Sequence, residues 1–127
     1  MAVTVSNHRH GARPVTLILR FNGLVQCGTV AGSPLVLTLP AQARVPGTIP
    51  PQAVLVNGLR AGRVAVSGRR LTITPKHPPV VCTVLMNGPI VLALTRGARI
   101  GNPARAGTYV LTVRRGTTTV RGTMAIR

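Results

Sequence analysis

The residues that carry most enzymatic chemistry are missing from this chain. Its 127 residues hold sixteen Lys plus Arg, three His and two Cys, and not one Asp or Glu. Paired carboxylates for acid–base work, glycosidase dyads and acid-oriented nucleophile triads therefore cannot be assembled. Calcium and magnesium sites draw on carboxylate oxygens in most protein settings, so oxygen-rich metal sites are excluded on the same ground. What remains is Cys27, Cys82, His8, His10 and His77. The cysteines lie 55 residues apart, without the C-x-x-C spacing of a metal site. They read as a disulfide clamping two segments, worth about 4 kcal/mol in the chain-entropy model, as two buried thiols acting as small apolar residues, or as a bridge to another copy. His8-x-His10 on an extended segment places both rings on one side, a zinc or copper pair short of further ligands. A Cys82–His77 nucleophile pair would have to be oriented by an amide, and a buried structural cysteine fits better. No P-loop or dinucleotide glycine fingerprint follows a strand. The expectation is a protein that is not an enzyme and holds no metal and no cofactor.

The charge balance is as uneven as the chemistry. Fifteen of the sixteen cations are Arg, which stays ionised and pairs bidentately with carboxylates and phosphates. No salt bridge between side chains can form within one copy. Three explanations compete: contact with a polyanion such as nucleic acid, anionic wall polymer or acidic glycan; adaptation to acid; or free use of Arg on exposed faces. For nucleic acid the electrostatic half of the case is present and the recognition half is not. One Phe and one Tyr cannot make a stacking platform. The adjacent pairs Arg69-Arg70 and Arg114-Arg115 are the candidates for sequence-independent polyanion binding; the plainer reading is a solvated face or a protected sheet edge.

Elements able to position such residues are short strands. Hydrophobic residues make up 45% of the chain but aromatics only 2%, so a core must come from Val, Leu and Ile, and fourteen Gly with eleven Pro interrupt any long helix. Period-two alternation and turn residues mark strands at Val15–Phe21, Leu24–Val30, Leu35–Leu39, Val54–Val56, Arg63–Val66, Leu71–Thr74, Val80–Leu85, Ile90–Thr95, Tyr109–Val113 and Thr117–Ile126, the last broken by Gly122. Asn22-Gly23 signals a hairpin into Leu24–Val30. The proline-rich stretch 40–51 cannot be a central strand and is expected to cross between sheets. Ahead of these lies Ala2, Val3, Thr4, Val5 and Ser6, a short strand on the polar leash NHRHGARP. The chain thus divides into 1–14, a terminal strand with linker, and 15–127, an all-β antiparallel domain. The terminal strand is a candidate assembly arm, able to add to a neighbouring copy's sheet edge and build filaments; the alternative is pairing within its own domain or a loose tail.

One stretch organises the rest, Ile100 to Val113: Asn102-Pro103 marks a turn, Ala106-Gly107 another, then Tyr109, Leu111 and Val113 alternate. The tyrosine is placed to lay its ring on a core and send its hydroxyl to a nearby backbone group. This segment resembles the closing part of the Ig-like β-sandwich modules of bacterial S-layer and other surface proteins. Leu39-Pro40, Val45-Pro46-Gly47-Thr48-Ile49, Val54–Gly58, Val64–Gly68 and Leu71–Thr74 resemble its earlier parts in order, so the likeness covers about residues 15–115. It implies an Ig-like sandwich with extra terminal strands and a structural subunit of an extracellular or cell or spore surface layer, appendage or filament, self-assembling as a homo-oligomer. The chain departs from the family where Gln52 stands in place of a common Asp and around 76–85, which puts a calcium role in doubt. The competing function is a basic module binding DNA or anionic cell-wall polymer without sequence specificity. No run of eighteen apolar residues suggests a transmembrane helix. The N-terminus lacks a signal peptide's apolar core, so a removed signal or release by cell lysis is the expected route outward.

One solution property follows from composition. Acid unfolding normally comes from carboxylates whose native pKa is depressed, their stabilisation being lost as pH falls through that value. Here there are no such side chains. Thermal melts at constant ionic strength are expected to give the same midpoint at pH 2 and pH 5 to within a few degrees; a large drop at pH 2 would contradict the reasoning.

Overall fold

Successive side chains of a strand point to opposite faces, so an apolar residue at every second position gives one face to a core. The computed structural model, which describes residues 1–22, 34–75 and 89–127, builds nine strands on that pattern. They are β1 (Ala2–Val5), β2 (Leu17–Asn22), β3 (Leu35–Thr38), β4 (Val54–Val56), β5 (Leu59–Ser67), β6 (Arg70–Pro75), β7 (Pro89–Leu94), β8 (Gly107–Arg115) and β9 (Thr118–Ile126). All pair antiparallel in one sheet of order β1-β2-β7-β4-β5-β6-β3-β8-β9.

The sheet is rolled, and β5 is its corner. Leu59 and Arg60 pair with Val56 and Leu55 of β4, later residues pair with β6, and the register shifts between Ala61 and Arg63. A shift of that kind bends a strand and tightens its twist. On one side of the corner stand β4, β7, β2 and β1, on the other β6, β3, β8 and β9. Leu17, Leu19, Val54, Leu92 and Leu94 from the first wall share one buried cluster with Leu37, Leu71, Ile73, Leu111 and Val113 from the second. Burying each of these side chains stabilises the fold by about 1.5–3 kcal/mol. Residues 40–50 carry the chain from the second wall (β3) to the first (β4), as the prolines require.

Three expectations meet the structure here. Both sides of β2 are taken, by β1 and β7, and the hairpin partner expected at Leu24–Val30 lies outside the described residues, as does Val80–Leu85. Gly122 does not interrupt the last strand. It sits inside β9, where a Cβ would lie 2.8 Å from Val3 Cγ2 and 2.9 Å from the Met1 carbonyl oxygen. Glycine there lets the two edge strands approach, and the Met1 amino group donates to the Arg121 carbonyl at 3.3 Å. Finally, Ala2–Val5 is seated in its own chain's sheet, in register with Arg20 back to Leu17.

Gly122→Ala should therefore pry β1 from β9 without opening the core. Amide exchange at Thr4 and at Ser6, whose N–H donates to the Thr16 carbonyl at 3.0 Å, is expected to accelerate at least tenfold while Leu37 and Leu111 stay protected. Unchanged exchange in β1 would show that the close approach has no structural role.

Candidate functional site

The end of the roll is closed by a polar seam built on Asn102. Its backbone N–H donates to the Ala12 carbonyl at 2.9 Å, and its Nδ2 donates to the carbonyls of Asn7 at 2.7 Å and Arg9 at 2.9 Å. Asn102 is 1% exposed and its Oδ1 is buried without a hydrogen-bond partner among the described residues. An orphaned acceptor destabilises, so the two donors of this amide decide the residue type. On the same segment Gly11 N–H donates to Pro103, His10 N–H to Arg127, and Arg127 N–H to His8. The stretch expected as a flexible leash is thus held along both its sides. Sequence reading placed Asn102 at a turn and missed this role; its position just ahead of Pro103 was the available signal, and its partners lie more than ninety residues away.

His8 and His10 fall on one side of the segment, as their spacing implies, and both face β9. Their Nδ1 atoms lie 2.8 Å from the Ala125 carbonyl and 2.6 Å from the Arg127 carbonyl, so each Nδ1 carries the hydrogen. Among the described residues no group of three His, Cys, Asp or Glu could hold a metal. Cys27, Cys82 and His77 lie outside the described residues. The Tyr109 hydroxyl donates to the Arg105 carbonyl at 2.7 Å and its half-buried ring packs on the core, the placement the corner motif suggested.

The arginines divide by strand parity. All fifteen lie among the described residues and fourteen of them are exposed. Arg69 is in the β5–β6 turn; Arg70 on β6 and Arg114 on β8 point outward from the second wall. Arg115 does not join them. It follows Leu111 and Val113 on the inner face and is 8% exposed, and desolvation pushes its pKa down from the ordinary arginine value. The adjacency that suggested a surface pair sends its two members to opposite faces.

The two outer faces differ in chemistry. Across the second wall, register aligns Ser67, Arg70, Thr38, Thr112 and Arg121 in one row. The next row is Ala65, Thr72, Val36, Arg114 and Thr119, flanked by the pairs Arg63–Thr74 and Val110–Thr123. Across the first wall the corresponding row is Thr4, Ile18, Ala93, Leu55 and Arg60, with Val91 beside Arg20. The first of these faces carries arginine and threonine with Val36, Ala65 and Val110 among them, Val110 being 48% exposed; the other is aliphatic at its centre. No helix among the described residues is long and apolar enough to cross a membrane.

Neither a protein-family model nor a curated protein matches the sequence. Among solved structures, the fold is similar to the crystal structure of BslA, titled a bacterial hydrophobin, with a TM-score of 0.61 and 16% identity over 99% of this chain and 93% of that one. The likeness is one of fold, over nearly the whole of both chains.

Replacing Asn102 by Ala removes both side-chain donors from the seam. The expected loss is about 1–3 kcal/mol, the range for groups left unsatisfied, with faster tryptic cleavage after Arg9. Unaltered melting and cleavage would contradict the clamp.

Proposed function

We propose that this chain is a non-catalytic structural protein of a bacterial surface, a coat, layer or filament component outside the cell. The observation that carries the reading is the end-to-end likeness of fold to a protein titled a bacterial hydrophobin. Composition supports it from another direction, since acid–base machinery built on carboxylates cannot exist here.

In finer detail we read the architecture as an Ig-type sandwich. Supporting this are the neighbours β1-β2-β7 on one wall and β3-β8-β9 on the other, and a tyrosine near the start of β8 bonded to backbone four residues earlier, the corner that recurs in such sandwiches. Assembly through sheet edges takes a specific form here. The outer edges cover each other, so a second copy's strand enters where the four residues of β1 leave their place beside β9.

The test is interfacial. A pendant drop of the purified protein should lose surface tension over minutes and wrinkle into an elastic skin on compression. A drop that keeps the tension of buffer would rule the surface reading out.

A further inference from the structure

We infer that the outer face of β5, β6, β3, β8 and β9 binds an acidic polysaccharide, through arginines that grip carboxylates and threonines that meet sugar hydroxyls. The face carries Arg63, Arg70, Arg114 and Arg121, all exposed. Arg114 pairs with Thr119 and Arg121 with Thr112, which makes the two arginines diagonal neighbours on adjacent strands, about 7–8 Å apart. No acid anywhere in the chain can stand between them. Bringing like charges together on a sheet destabilises it, and a bridging anion relieves that cost.

The breadth of the face and its neutral residues select the kind of anion. Arg70 and Arg121 share a row with Thr38 and Thr112 between them, which sets them about 14 Å apart at the inter-strand spacing. A phosphodiester backbone offers acceptors for arginine but little for a hydroxyl that also accepts, whereas sugar hydroxyls both donate and accept, as threonine does. Stacking of bases is absent as a contribution, because Phe21 is 5% exposed and Tyr109 turns its hydroxyl back to Arg105. A five-strand face is also too broad for the major groove. Carboxylates spaced by hydroxyl-bearing rings fit the pattern better. The choice of glycan over nucleic acid rests in part on the surface role proposed above; the location of the binding face does not.

Full-length protein is titrated with polygalacturonate, neutral dextran and a 30-base-pair duplex at 50 and 200 mM salt. Two triple variants lose the same charge: Arg70→Gln/Arg114→Gln/Arg121→Gln on the face, and Arg20→Gln/Arg60→Gln/Arg96→Gln away from it. Polygalacturonate affinity is expected to fall at least tenfold in the first and no more than threefold in the second, with dextran unbound. Equal losses in the two variants would overturn the site, leaving only net charge. Tighter binding of the duplex than of polygalacturonate would overturn the ligand class. Skin formation by the face variant is expected to match the parent protein, so loss of glycan binding and failure of the interfacial role read out separately.

Discussion

The structure depends on one electrostatic constraint: no cation in this chain has an anionic side chain to pair with. Taking an uncompensated charge out of water costs several kcal/mol even after relaxation. The fold therefore sends fourteen arginines outward and fills its interior with Leu, Val and Ile. Period-two strands do this with least conflict, because each gives every second position to solvent. Arg115 marks the limit of the scheme, drawn inward by parity with Leu111 and Val113 and depressed in pKa by desolvation. With ion pairs unavailable, order at the chain ends comes from hydrogen bonds between backbone and uncharged side chains. Asn102, His8 and His10 supply them, and glycine at 122 lets β1 close against β9.

The same constraint shapes what the protein can do. Cations that cannot be neutralised internally leave a surface that attracts anions from outside. The roll concentrates four of them with threonines on one wall and leaves the other wall aliphatic at its centre. Side chains presented over broad faces suit contact with polymers and interfaces. That is the sense in which fold and composition point the same way.

Much of the architecture was legible in the residues. Tyr109–Val113 by its alternation, Leu35–Leu39 by its apolar run and Leu71–Thr74 by the turns around it were legible as strands, and the prolines of 40–51 located a crossover. Tyr109 was legible because a lone tyrosine at a corner has few other places for its hydroxyl. What escaped depends on distance along the chain. The Asn102 clamp joins segments more than ninety residues apart, and the seat of β1 depends on a glycine in β9. A local reading left β1 open between an assembly arm, a strand of its own domain and a loose tail, and saw a broken strand at Gly122. Arg114-Arg115 failed for a nearer reason: adjacency was read as proximity, though in a strand it means opposite faces. The Arg–Thr face escaped too, because it is a property of register between five strands and not of any one segment.

The central claim is that this chain works outside the cell as a structural component of the surface. Immunogold labelling of sections through cells that produce it tests this most directly. The account predicts gold along the outer surface and in the material between cells, with little in the cytoplasm. Label confined to the cytoplasm or gathered on the nucleoid would contradict it.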